Sequence, residues 1–301
     1  MVRLFEQDIK TNERKSSKGN QLKWNKEDMW YKADYTGYEG LAEYMSSHLL
    51  TFSNLATDNY VLYDTEDIVY GDKVYHGCRS KSFLHEGEQL VTLERLFAER
   101  YGESLYRSIY AIEGVEDRLK FIAEQVERMT GIEDFGASLC DLLTIDALFL
   151  NEDRHTHNIA VIRKPDGGYR TSPIFDNGAG LLSDTTMDYP IGQDVYTLID
   201  KVQAKTVCSD FTEQLEAAED LFGQRLHFGY GHREIDALLE ADSCYGSTEK
   251  DRVRTILNEQ RRKLIYLFDY KVDNVNNLFG CIPGDMTVEE VKEERLDNYK
   301  C

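Results

Sequence analysis

The chain has 301 residues, enough for two lobes or two modest domains, each with its own core. With 41% hydrophobic and 30% charged residues, no apolar run near the roughly 20 residues that span a bilayer, and no signal-peptide h-region, it reads as globular and cytoplasmic, with export by a non-classical route left open. A formal charge of −20 argues against nucleic acid and anionic lipid as partners, and six cysteines without a C-x-x-C pair argue against zinc and against a disulfide framework.

Residues 1–85 read as mostly β with one helix. Ser16-Ser17-Lys18-Gly19-Asn20-Gln21-Leu22-Lys23-Trp24 is small, polar and basic. It suits an ordinary surface turn, or a loop whose backbone N–H groups and small side chains approach phosphates. Residues 29–35 predict an aromatic strand that carries Lys32. That lysine is either a solvent-face residue or a partner for phosphates, held by a glutamate on the next helix. The helix is predicted over 38–50, with Leu41, Met45 and Leu49 on its packed side. Glu39 and Glu43 lie four apart on one face, so either can meet Lys32, and both equally fit a solvated acidic face. Residues 60–63 and 68–75 predict a β-hairpin about Asp64-Thr65-Glu66-Asp67, the pattern breaks at 76–80, and 80–90 is the expected connection between lobes.

From Leu90 the spacing is helical, over 90–100, 114–129 and 135–150. The last segment is apolar nearly all round, which marks a central, buried helix that delivers the chain to Asn151. Asn151-Glu152-Asp153-Arg154-His155-Thr156-His157-Asn158 follows as a polar loop. An apolar run at 159–162, a turn at Lys164-Pro165-Asp166-Gly167-Gly168 and a returning strand at 169–174 then lead to Phe175-Asp176-Asn177-Gly178. The stretch 178–199 is turn-rich, helical patterns return at 210–221, 233–240 and 251–270, and a tail helix from Asp285 is expected with a capping box of Thr287 and Glu290.

An acid, an amide and a second acid thus sit on short loops around a small hairpin. A Mg·ATP site needs that set: one carboxylate to take or orient a hydroxyl proton, and an amide and a carboxylate as hard oxygen ligands. The rivals are poorer. His155 and His157, two apart, do not share a helical face and lack visible zinc partners. The sequence contains no G-x-S-x-G elbow, no Rossmann glycine fingerprint and no Walker A motif.

Asp153-Arg154-His155-Thr156-His157-Asn158 with Phe175-Asp176-Asn177-Gly178 resembles the D-R-H-x-x-N and D-x-G motifs of HipA-like serine/threonine kinases and, more distantly, of phosphatidylinositol-3/4-kinase-like enzymes. Asn151 and Ser172-Pro173-Ile174-Phe175-Asp176 lie nearer the HipA side, Ser16 to Lys23 is similar to that family's S-x-x-G-x-Q-x-K loop, and Glu43-Tyr44-Met45 resembles its E-Y-x-C helix. The resemblance spans about residues 16–180. The stretch before Ser16 is too short for the extra N-terminal subdomain of the HipA toxins, so the chain looks like a compact variant similar to the cell-translocating kinases.

The resemblance implies an α+β, two-lobed protein-kinase-like fold, with a β-rich N lobe over 1–85 and a helical C lobe over 86–301. It implies an ATP- and Mg2+-dependent protein serine/threonine kinase, with a phosphatidylinositol-type lipid kinase or a non-catalytic kinase-like interaction protein as alternatives. Asp153 would be the base, Asn158 and Asp176 would hold Mg2+, and Lys32 would contact phosphates while paired with Glu43 or Glu39. Ser16, Ser17 and Gly19 would cover the nucleotide, with Ser16 as the site of autophosphorylation, and His155 would fix the loop at the nucleotide. The expected partners are a protein with a Ser or Thr acceptor and the chain itself; an antitoxin-like partner stays open.

Overall fold

The computed structural model describes residues 1–10 and 21–268; the loop with Ser16, Ser17 and Gly19 and the predicted tail helix lie outside the described residues. In chain order the elements are β1 (Val2–Leu4), β2 (Lys23–Lys26), β3 (Met29–Ala33), α1 (Glu39–Leu50), β4 (Asp64–Thr65), β5 (Ile68–Tyr70), β6 (Lys73–Tyr75), β7 (Gly77–Lys81) and β8 (Gln89–Thr92). Then come α2 (Leu93–Tyr101), α3 (Leu105–Tyr110), α4 (Val115–Thr130), α5 (Phe135–Phe149), β9 (Ala160–Arg163) and β10 (Tyr169–Thr171). The chain continues with α6 (Val195–Ile199), α7 (Phe211–Phe222), α8 (His232–Ala241) and α9 (Ser247–Lys263).

The strands form three small sheets, ordered β2-β3-β7-β4, β1-β5-β6 and β10-β9-β8. Lys26 pairs with Met29 across a two-residue turn in which Glu27 and Asp28 both have positive φ, 53° and 64°. That turn matches the right-handed twist of the flanking strands and fixes the register of Lys32 opposite Lys23.

Several local expectations change. Residues 60–63 form no hairpin strand: Tyr60 bridges Ile174, and the Val61 N–H donates to the Ile174 carbonyl at 2.9 Å. The hairpin lies inside 68–75, as β5 and β6 turning at Gly71, whose φ of 59° a β-branched residue would not adopt. The break expected at 76–80 is β7, an inner strand paired with both β3 and β4. Gly77 stands there because of crowding, since a Cβ would lie 2.1 Å from the Lys32 carbonyl oxygen. The helix expected from Leu90 begins only at Leu93. Gln89–Thr92 instead pairs with β9, and the Thr92 hydroxyl caps α2 by accepting the Arg95 N–H at 3.3 Å.

The apolar helix α5 is buried along almost its whole length and joins two cores. Its first half, with Leu139 and Leu143, packs with α2, α3, α4, α7 and β9. Its second half, with Ile145, Leu148 and Phe149, packs with α1, α8 and α9. Every residue of α1 except Glu39 and His48 is buried. Among the described residues no helix is long and apolar enough to cross a membrane.

Candidate active site

α5 ends at Leu150, whose φ of 54° turns the chain sharply into the 151–158 loop. What fixes that loop is Arg154, 1% exposed. Its guanidinium donates to both carboxylate oxygens of Asp146 on α5 at 3.0–3.1 Å and to the Asn177 amide oxygen at 2.7 Å. It also donates to the carbonyls of Asn158 (3.1 Å) and Phe175 (2.8 Å). One side chain therefore ties α5, the 151–158 loop and the 175–178 segment together. Burial pushes the Asp146 carboxyl up, and the Arg154 charge opposes that shift. The Asn151 side-chain N–H donates a hydrogen bond to the Asp146 carboxylate at 3.0 Å, and the Asp153 N–H donates to the Asn151 side-chain oxygen at 3.3 Å.

Within the loop, the Asn158 amide nitrogen donates to the Asp153 carbonyl at 2.8 Å and to its carboxylate at 3.2 Å. That orients the Asn158 amide and anchors Asp153. His155 Nε2 is 3.7 Å from the Asp153 carboxylate, so His155 borders the acid.

The β3 lysine reaches the same place. Lys32 Nζ donates to Glu43 Oε1 at 2.6 Å and to Asp176 Oδ1 at 2.7 Å, with the Tyr63 ring centroid 5.0 Å away. Glu43 uses its other oxygen to accept the Asn177 N–H at 2.9 Å. Burial disfavours the Lys32 ammonium, but Asp176 and Glu43 outweigh it and hold its pKa well above the ordinary lysine value. Burial likewise works against the Asp176 carboxylate; Lys32, Lys23 and Arg154 overcome it and keep the group well below the usual carboxylate range. Asp176 has φ of 63°, a left-handed conformation that Asp tolerates better than most residues.

Asp153, Asn158, Asp176, Glu43 and Gly178 line one cavity together with Gln21 and Tyr35. Glu39 also borders it but does not meet Lys32. Its carboxylate accepts the N–H groups of Thr36 (2.7 Å) and Gly37 (3.1 Å), capping the turn before α1. Of the two glutamates that sequence spacing allowed, Glu43 is the one on the lysine. Sequence reading gave no role to Arg154, Asp146 or Asn177. The available signal was Asp146 itself, an acid inside an otherwise apolar buried run, which requires a charged partner.

The α+β fold thus pairs a strand lysine with a buried helix glutamate and with Asp176, and the two acids share a cavity with Asp153 and Asn158. No family model matches the chain, and no curated protein matches it by sequence. Among solved structures, the Helicobacter pylori proinflammatory kinase CtkA matches with a TM-score of 0.59 and 17% identity, over 88% of this chain and 96% of that one. A chain of the Shewanella oneidensis toxin–antitoxin complex of HipA, HipB and operator DNA gives a TM-score of 0.48 at 17% identity, covering 87% of this chain and 67% of that one. At 17% identity the likeness to CtkA shows the fold alone, that of this kinase along nearly its whole length, and a kinase-like fold is what the motif resemblance implied.

Proposed function

We propose that the chain is an ATP- and Mg2+-dependent protein serine/threonine kinase, with residues 1–85 and 86–301 as its two lobes. The observation that carries this reading is Lys32 held between Glu43 and Asp176, two acids that line one cavity with Asp153 and Asn158. In this reading the ammonium of Lys32 meets nucleotide phosphates while Glu43 keeps it in place. Asp153 orients the acceptor hydroxyl and accepts its proton. The hydroxyl oxygen bonds to the γ-phosphorus, the bond to the β-phosphate oxygen breaks, and ADP leaves with that electron pair. The Asn158 amide and the Asp176 carboxylate are hard oxygen donors and fit Mg2+, which takes few protein ligands beside phosphate and water. When bound there, Mg2+ supplies neutralisation of phosphate charge. Rate enhancement then comes from positioning and electrostatics, which the Arg154 network supports by holding both loops to α5.

The test is phosphate incorporation from radiolabelled ATP into the chain and into added protein. Asp153→Ala is expected to slow transfer by about 10²–10⁴-fold, the range for a positioned acid–base group, and Asp176→Ala at least as much. Transfer at the parent rate by either variant, or transfer to inositol lipid vesicles with none to protein, would overturn the reading. Mass spectrometry of the product then reports whether Ser16 or Ser17 carries the phosphate.

A further inference from the structure

Lys32 and Asp176 meet in a way that the phosphate role of the lysine does not require. Lys32 Nζ lies 2.7 Å from Asp176 Oδ1 and 2.6 Å from Glu43 Oε1, so one ammonium spans two carboxylates. We propose that Lys32 guards Asp176: its ammonium keeps a free divalent cation off that carboxylate, and phosphate oxygens that draw on the ammonium release the carboxylate to the cation. The inference rests on the kinase reading above and concerns the regulation of that same site.

Geometry sets the two cations in conflict. Mg2+ takes a carboxylate oxygen at about 2.1 Å and demands a near-ideal octahedron around it. Oδ1 of Asp176 already accepts an ammonium N–H at 2.7 Å. A cation moved to the other oxygen would still share one carboxylate with Lys32. The two side chains are 13% and 27% exposed, so water screens little of the repulsion between like charges there. Lys23, buried and opposite Lys32 in the β2–β3 register, and Arg154 add further positive charge at Asp176.

The other groups around the cavity do not lift this restraint. Asn158 is neutral, and its amide nitrogen is turned to Asp153 at 2.8 and 3.2 Å. Glu39, Glu43, Asp153 and Asp176 line the cavity and favour any cation in it. Glu39, however, is taken by the N–H groups of Thr36 and Gly37, and Glu43 by Lys32 and the Asn177 N–H. At Asp176 that acidity is answered directly, by Lys32 in bonding contact.

Phosphate can undo the contact and leave the lysine anchored. An ammonium has three N–H donors, and the carboxylates take two of them. A phosphate oxygen that takes the third brings negative charge beside Lys32 and weakens its hold on Asp176, while Glu43 keeps the side chain in place. Linkage makes the effect reciprocal: the factor by which phosphate raises cation affinity is the factor by which the cation raises phosphate affinity. The cation is therefore admitted with the phosphates and not ahead of them.

The experiment measures cation binding by the full chain without nucleotide, so that it does not depend on catalysis. Mn2+ stands in for Mg2+, and the unbound ion is counted by electron paramagnetic resonance. The parent and Asp176→Asn are expected to bind Mn2+ alike, because Lys32 masks the carboxylate. Lys32→Met is expected to bind at least about tenfold more tightly, the scale on which a neighbouring charge shifts the proton affinity of a carboxylate. Adding Asp176→Asn to Lys32→Met is expected to remove that gain. Lys32→Gln, whose neutral amide can still bond to an acid, replaces Lys32→Met if circular dichroism shows the latter unfolded, and the comparison of the parent with Asp176→Asn decides on its own if neither folds. Tighter binding by the parent than by Asp176→Asn, no gain on neutralising Lys32, or a gain that survives Asp176→Asn would each overturn the proposal. A lysine that merely braced β3 against α1 would give no gain. A gain in a chain that transfers no phosphate would overturn the kinase reading alone and leave a guarded cation site standing.

Discussion

The acids of this protein are set apart by what surrounds them. Asp176 is held ionised by Lys32, whereas Asp34, at the end of β3, is pushed up to about 8 by burial and by the neighbouring charge of Glu39. Its carboxyl accepts the Gly40 N–H at 2.7 Å and the Tyr245 hydroxyl at 2.8 Å, and both bonds oppose that rise without cancelling it. The Asp34 N–H donates to the His76 carbonyl, and the His76 ring packs on Tyr245. A carboxyl with a folded pKa above its unfolded value of about 3.9 binds its proton more tightly in the fold. Its contribution to stability is complete below about pH 4 and is lost as pH rises through about 8. The parent Tm should therefore decline between pH 5 and pH 8, and the decline should be shallower in Asp34→Asn, as followed by circular dichroism. At this scale the sequence singled out Lys32, Asp153 and Asp176 by residue type and motif, and the fold brings Asp153 and Asp176 to one cavity with Lys32 bonded to Asp176. It was silent where the role comes from burial. Nothing in the spacing of Arg154 says that its guanidinium reaches Asp146, Asn177 and two carbonyls at once.

Among the elements, long amphipathic or wholly apolar helices were legible because a sustained period constrains many residues together. α4, α5, α7 and α8 fall within a residue or two of their expected ends. Short strands were not, because β7 and β8 span 5 and 4 residues and carry no alternation that could oppose a helical reading. β7 was hidden by Gly77, which reads locally as a breaker and serves instead as a point of close approach. On one side the Lys32 carbonyl sits where a Cβ would go; on the other, a Cβ on Gly40 of α1 would lie 2.5 Å from the Gly77 carbonyl carbon. Sheet and helix thus meet backbone to backbone at Gly77, beside the strand that carries Lys32. Gly77→Ala is expected to cost about 1–3 kcal/mol by overpacking, measured by urea denaturation. A cost within error of zero would show that β3 and β7 separate freely.

For the molecule as a whole, a net charge of −20 on 301 residues opposes compaction through self-repulsion. Raising ionic strength from about 0.01 M to about 0.15 M shortens the screening length from about 30 Å to about 8 Å. The Tm should rise by a few degrees over that range and level off above it, as measured by scanning calorimetry; a falling Tm would mean that favourable ion pairs outweigh the repulsion. The two-core arrangement was only partly readable in advance. Periodicity marked α5 as central, but not that the helix carrying Glu43 would share a core with α8 and α9, some 190 residues further along the chain.

That sharing restricts how the Lys32–Glu43 pair can open. Glu43 could part from Lys32 through an outward swing of its helix only if α1 had an open side to swing toward. Here it is enclosed on nearly every face, with Tyr44 bonded through its hydroxyl to the Leu238 carbonyl of α8 at 3.2 Å. Such a swing would expose the apolar faces of α8 and α9 along with its own. Opening the pair by that route would require the shared core of α1, α8 and α9 to come apart.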